Sequence, residues 1–162
     1  MALAQSQPTY LKAAAASRPL PSGRRSRIFP VIRFCSKLAG VYFQGNAADY
    51  TATVFTFNGA SGAVIYYLAG TTGWSSTFDG QPAVLWNPAI QTGGASFGVR
   101  SNQFGFMITG NVNIPIVVDA TTNLATPNWV ALLNGMVTNG AVYFSDPQWT
   151  NYPSRNYRVR SP

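Results

Sequence analysis

Alternation of apolar and polar positions, together with turn-forming residues, marks five short strands in the last third of the chain. In residues 104–109 the side chains of Phe104, Phe106 and Ile108 share one face, which is the period of two of a half-buried strand. The same alternation occurs at residues 156–160, and three further strands are predicted between these two, at residues 114–120, 129–137 and 141–144. Turn-forming Gly, Asn, Asp and Pro residues separate these runs. We therefore predict an all-β fold, with a small antiparallel β-sandwich of immunoglobulin or fibronectin type at the C-terminus.

The segment that precedes this domain has a different character. Two strand-like runs, residues 51–57 and 63–68, lead into a loop-rich connector that ends at Gly93-Gly94. Before them lies a proline-rich stretch whose charge and lack of large apolar runs are typical of a disordered arm. Three regions are therefore predicted: a disordered basic arm at 1–34, a repeat-like β segment with its connector at 35–94, and the β-domain at 95–162.

A single repeat-like motif begins the middle region. Leu38, Val41, Phe43 and Asn46 fit the spacing L-x-x-L-x-L-x-x-N of a leucine-rich repeat. In that pattern Val41 and Phe43 point inward from a strand, and the Asn46 amide satisfies backbone groups where the coil turns away. One such unit cannot bury its own faces, so we expect a truncated array. We also expect Val41 and Phe43 to form an exposed apolar edge through which the chain self-associates.

The net charge of +7 is concentrated at the start of the chain. Residues 1–40 hold seven lysines or arginines and no acid, whereas residues 41–162 hold four arginines and four aspartates. The body is therefore neutral and the arm is basic. No run approaches the roughly 18 apolar residues of a membrane-spanning helix, and no signal peptide is recognised in the chain as it stands.

The chemistry-bearing residues are few. The chain has no histidine, and Cys35 is its only cysteine, which excludes His-based triads, thiolate clusters and most zinc sites. An oxygen-rich run begins at Asp119 and ends at Asn123, but with one charged ligand we expect backbone-bonding turns there and no calcium site. Asp146, before a proline, is likewise interpreted as a turn residue. We predict no catalytic, cofactor-binding or metal-binding residues, and no enzyme.

Aromatic side chains are the remaining candidates for contact with a ligand. An exposed flat ring covers the apolar face of a sugar, so the tryptophans and tyrosines could include a saccharide platform. Trp129 opens an apolar strand and is expected in the core, whereas Trp149 and Tyr152 lie in a polar loop and are the candidate ligand contacts. For the set as a whole, which also includes Trp74, Trp86, Tyr66, Tyr67, Tyr143 and Tyr157, core and loop packing is the favoured interpretation.

Several longer motifs carry a resemblance that covers roughly residues 35–162. They are Val41-Tyr-Phe-Gln-Gly-Asn46, Tyr66-Tyr-Leu-Ala-Gly-Thr-Thr-Gly-Trp74, Leu85-Trp-Asn-Pro88, Phe104-Gly-Phe106, and the final run from Tyr143-Phe-Ser-Asp-Pro-Gln-Trp to Tyr157-Arg-Val-Arg-Ser-Pro162. Together they resemble the C-terminal region of secreted bacterial proteins with BspA-like leucine-rich repeats. In that family the last repeat runs into a terminal β-domain.

The resemblance implies a non-enzymatic structural or interaction module of a secreted or cell-surface protein, with a protein or a surface glycan as partner. Two alternatives from other classes stay open. One is a carbohydrate-binding β-module. The other, which the residues favour less, is a nucleic-acid binder that uses the basic arm for phosphate contacts.

Overall fold

The structure is a computed structural model that describes residues 9–13, 35–47, 57, 59, 60 and 62–162; for 9–13 it describes the backbone alone. Most of the strand predicted at 51–57 therefore lies outside the described residues. The chain divides into two units, Met1–Leu85 and Trp86–Pro162. The division falls before the predicted boundary at residue 95, because residues 89–91 pair with a strand of the second unit.

The first unit contains a sheet with parallel strands. Its strands are β1 (Thr9–Ala13), β2 (Leu38–Phe43), β3 (Val64–Leu68), β4 (Thr77–Phe78) and β5 (Gln81–Trp86), in the order β1-β2-β3-β5-β4. β2 runs parallel to both β1 and β3. The connector predicted to be loop-rich thus contains β4 and β5, whose short lengths and internal Pro82 conceal them in the sequence.

The predicted exposed edge at Val41 and Phe43 is wrong. β2 lies between β1 and β3 in the sheet, so both of its hydrogen-bonding edges are occupied. Val41 is 0% exposed and Phe43 is 4% exposed. The partner on one side is β1, which falls within the arm predicted to be disordered; the disorder prediction therefore fails for Thr9–Ala13, and the rest of residues 1–34 lies outside the described residues.

The core of the first unit combines aliphatic and aromatic side chains. Leu38, Val41 and Ile65 are buried with Phe43 and Phe78. The Trp74 ring stacks on Tyr67, with centroids 5.0 Å apart, and also contacts Phe43 and Phe78. Burial of these rings accounts for much of the stabilisation of this unit, since each large aromatic removes about 150–250 Å² from water.

The second unit is antiparallel. Its strands are β6 (Ala89–Gln91), β7 (Gly98–Arg100), β8 (Gln103–Thr109), β9 (Ile114–Thr121), β10 (Val130–Val137), β11 (Ala141–Asp146) and β12 (Asn156–Arg160), with one 3-10 turn at Trp149–Asn151. One sheet has the order β10-β9-β12 and the other β11-β8-β6, with β7 also paired to β8. No α-helix occurs in the described part of the chain, and the predicted all-β fold is confirmed.

Rings from both sheets meet inside the second unit. Tyr157 of β12 stacks on Phe104 of β8 at 5.1 Å between centroids and contacts Phe106 and Phe144 edge-on. Trp129, expected in this core, is only half-buried. It precedes β10 on the opposite face, where the Arg158 guanidinium lies 4.1 Å from its ring centroid.

Candidate functional site

An open groove lies on the outer face of the four-stranded sheet. Strand alternation in β8 directs Phe104, Phe106 and Ile108 towards the core, which leaves Gln103 and Met107 on the opposite face. The groove on that face has a volume of about 340 Å³. It is lined by Ser96, Arg100, Ser101, Gln103, Met107, Tyr143 and Ser145.

The pairing register explains why these side chains converge. Arg100 of β7 is the partner of Gln103, Ser145 of β11 is the partner of Gly105, and Tyr143 is the partner of Met107. Directly paired residues of antiparallel strands project from the same face of a sheet, with Cβ atoms about 5 Å apart. Three neighbouring strands therefore present one continuous surface of polar groups around an aromatic ring.

The Tyr143 ring lies over Gly105, which has no side chain to displace it. A Cβ atom at Gly105 would overlap the phenol oxygen of Tyr143 and would lie 2.6 Å from the Phe144 carbonyl oxygen. The glycine thus lets the ring lie close to the sheet, and Tyr143 remains 42% exposed. The result is an aromatic surface that neighbouring strands hold in place.

A tight hairpin turn carries one side of the groove. Ser101 and Asn102 join β7 to β8 with φ angles of 45° and 58°, the two positive values that a type I′ turn requires. Asn tolerates this left-handed region, whereas Ser at such a φ costs about 1 kcal/mol or more. The strained turn sets the position of Arg100, Ser101 and Gln103 at the rim.

Trp149 and Tyr152, the ligand contacts predicted from the sequence, do not line the groove. The Trp149 indole N–H donates a hydrogen bond to the Asn102 carbonyl oxygen at 3.2 Å, so this residue braces the β7–β8 turn. Tyr152 is 39% exposed, with the Arg155 guanidinium 4.2 Å from its ring centroid. The sequence-based prediction chose Trp149 and Tyr152 because they lie in a polar loop. The signal for Tyr143 was the alternation of β11, which buries Phe144 and turns Tyr143 outward.

The arginines of the second unit differ in their partners. Arg155 pairs with Asp146 at 3.0 Å, and Arg158 and Arg160 pair with Asp119 at 2.9 and 2.7 Å. Arg100, at the groove, has no carboxylate partner among the described residues.

Asp119 lies in the middle of β9, not in a loop, and is 1% exposed. Its Oδ2 accepts hydrogen bonds from Arg158 and Arg160. Burial alone raises the pKa of this carboxyl, but the hydrogen bonds and charges of Arg160 and Arg158 together outweigh burial and lower the pKa below its ordinary value. The Asp119 carboxylate therefore binds two guanidinium groups. The Asn123 side-chain oxygen accepts the Ala125 backbone N–H, as in an Asx turn. Both ends of the oxygen-rich run thus form structural contacts.

Asp146 also has a structural role, as a turn residue and as an anchor. Its Oδ1 accepts the Gln148 backbone N–H at 2.9 Å, and its Oδ2 accepts the Tyr157 hydroxyl at 2.9 Å. Burial and this hydrogen bond to a carboxylate raise the pKa of Tyr157. The network joins the end of β11 to β12.

Comparisons of the chain with protein-family models, with curated proteins and with solved structures give no match. In the part of the chain that the structure describes, no three His, Cys, Asp or Glu side chains are grouped to hold a metal ion. The same described residues contain no helix that is long and apolar enough to span a membrane.

Proposed function

We propose that this chain is a non-enzymatic binding module that holds a saccharide in the groove around Tyr143. The observation that carries the proposal is the Tyr143 ring, which is 42% exposed in spite of its size and lies over Gly105. Solvated aromatic rings with one free face suit ligands that are apolar on one side and polar at the rim. A pyranose has this character, because its C–H groups cluster on a face and its hydroxyls project from the edge.

The rim of the groove supplies the polar partners that such a ligand needs. Ser145 offers a hydroxyl, and Gln103 offers both an amide donor and an acceptor, beside the ring. The volume of about 340 Å³ lies near the lower end of the roughly 300–1,000 Å³ typical of small-ligand sites. An open groove of this size suits one part of a larger glycan.

The wider setting that we propose is a secreted or cell-surface leucine-rich repeat protein. Two observations support it. Val41 of β2 is paired in parallel with Ile65 of β3, an interval of 24 residues, which is within the roughly 20–29 residues of such repeats. Asn46 Oδ1 accepts the Thr72 backbone N–H at 2.9 Å, the kind of backbone contact that the repeat pattern expects of this asparagine. Resistance of the protein to protease added to intact cells would contradict a surface location.

The saccharide proposal predicts unequal effects of two tyrosine substitutions. Tyr143→Ala removes the stacking surface and should weaken binding to the responding glycans at least tenfold, whereas Tyr152→Ala, a ring of similar exposure outside the groove, should change it less than twofold. A glycan array identifies the ligands, and isothermal titration calorimetry measures the affinities. Near-ultraviolet circular dichroism checks that both variants are folded.

Two results would overturn this function. One is the absence of binding to any glycan by the folded wild-type chain. The other is loss of binding in Tyr152→Ala while Tyr143→Ala binds as the wild type does, because the contact would then lie outside the groove.

A further inference from the structure

The arginines of the second unit differ in whether a carboxylate neutralises them. Residues 86–162 contain four arginines and two aspartates. Both aspartates are buried and bind the three arginines that follow residue 150. The remaining guanidinium, that of Arg100, is at the groove and has no carboxylate partner among the described residues.

The position of Arg100 is fixed by its neighbours in the fold. It is the last residue of β7, paired with Gln103 across the two-residue turn at Ser101 and Asn102. The Trp149 indole N–H holds the Asn102 carbonyl from outside the groove. Because the turn is tight and braced, the base of the Arg100 side chain has little freedom, and less entropy is lost when its guanidinium binds a ligand.

We propose that the groove selects saccharides that carry an acidic group, with Arg100 binding the carboxylate or sulfate while the sugar ring stacks on Tyr143. This inference rests on the proposed saccharide function and adds the chemical class of the ligand. The planar guanidinium presents parallel N–H donors that match a carboxylate or a sulfate. The surplus of two positive charges in residues 86–162 also favours a negatively charged ligand.

The experiment compares pairs of saccharides that differ in the acidic group. Suitable pairs are a glucuronic acid oligosaccharide with its glucose counterpart, sialyllactose with its sialic acid methyl ester, and a sulfated galactose oligosaccharide with its unsulfated form. Affinities are measured by calorimetry at about 0.15 M salt, where charges separated by more than about 8 Å are screened. We expect at least one acidic member to bind the full chain tenfold or more tightly than its neutral partner.

Three variants assign that preference to its source. Arg100→Gln should abolish the difference within the pair and leave binding of the neutral member within about twofold. Arg100→Lys should retain part of the preference, since an ammonium keeps the charge and loses the planar donor pair. Lys37→Gln removes one exposed charge from the other unit and should retain all of it. The cations of residues 1–34 are present in every protein compared, so they cannot produce a difference between them.

The outcomes separate this inference from the function on which it rests. Equal affinity of the wild type for both members of every pair would overturn the acidic ligand and leave the saccharide function standing. A preference that Lys37→Gln reduces as much as Arg100→Gln would overturn it as well, because net charge would be the cause. Failure of the folded wild type to bind any member of these pairs and any glycan on the array would overturn both proposals.

Discussion

At the residue scale, three arginines near the C-terminus serve the fold of the second unit. Asp119 and Asp146 are buried, and a buried carboxylate without a partner would cost several kcal/mol. Arg158 and Arg160 reach Asp119 from β12, and Arg155 reaches Asp146 from the preceding loop. The last residues of the chain therefore stabilise two strands that are distant in sequence. Arg100, by contrast, is exposed at the surface.

The lowered pKa of Asp119 predicts a loss of stability in acid. The carboxylate has a lower pKa folded than unfolded, so its contribution is full above the unfolded value of about 3.9 and is lost as the pH falls through the folded value. Asp119→Asn should reduce the free energy of unfolding by about 1–3 kcal/mol at neutral pH. It should also flatten the decline in stability between about pH 5 and pH 2.

Urea unfolding of both proteins at a series of pH values measures this effect. Parallel stability profiles for wild type and variant would show that Asp119 is not the group that titrates.

At the element scale, the antiparallel strands of the second unit were predictable because local chemistry defines them. Apolar and polar residues alternate in β8 and β12, whereas β9 is buried along its whole length and is delimited by the turns on either side of it. The predicted strands differ from the observed ones by few residues. Among the strands that escaped prediction, β4 and β6 have only two and three residues, β5 contains Pro82, and β7 follows Gly93-Gly94. Parallel pairing of β2 with β1 and β3 leaves no local signal, because the partners are far apart in sequence.

The lack of a local signal for strand pairing also explains why the sequence placed the ligand contacts at Trp149 and Tyr152. The exposure of an aromatic ring depends on which residues of the neighbouring strands and loops lie next to it. The sequence shows neither that Tyr143 lies over Gly105 nor that Trp149 donates a hydrogen bond to the Asn102 carbonyl oxygen. The preference for Trp149 and Tyr152 came from their polar surroundings along the chain. Groove residues come from three strands and two loops, so only the pairing register brings them together.

The parallel pairing of β1 with β2 predicts what removal of the arm does. Deleting residues 1–34 takes away β1 and leaves the N–H and C=O groups on one edge of β2 unpaired. Such edges recruit other chains, so residues 35–162 should self-associate with rising concentration, as measured by sedimentation velocity. Deleting residues 1–8 alone keeps β1 and should leave the association state of the full chain unchanged. Identical sedimentation of both truncated proteins would show that β1 does not protect the edge.

At the scale of the whole molecule, the two units have different architectures. The first combines parallel strands with a core of aliphatic and aromatic side chains, and the second is antiparallel with two buried acids. The groove is formed entirely by residues of the second unit, from Ser96 to Ser145. If the saccharide proposal holds, the second unit by itself contains the whole binding surface.

The division at Leu85 and Trp86 predicts which fragment folds by itself. Residues 86–94 supply β6, which pairs with β8, and the Trp86 indole N–H, which donates to the Pro115 carbonyl oxygen at 2.8 Å. A fragment of residues 86–162 should therefore unfold cooperatively and retain saccharide binding. A fragment of residues 95–162 loses the tryptophan and the strand, and should be less stable by roughly 3–5 kcal/mol, the usual cost of deleting a large aromatic.

Thermal unfolding followed by near-ultraviolet circular dichroism compares the two fragments. For a domain of this size, roughly 1 kcal/mol corresponds to about 4–8 °C in Tm, so the shorter fragment should melt at least about 12 °C lower or show no cooperative transition. Trp86→Phe in the longer fragment keeps β6 and most of the ring and removes the indole hydrogen bond, so it should cost only about 1 kcal/mol. Equal melting of 86–162 and 95–162 would mean that β6 and Trp86 contribute nothing to the fold, and the domain boundary would then lie at residue 95, as the sequence pattern predicted.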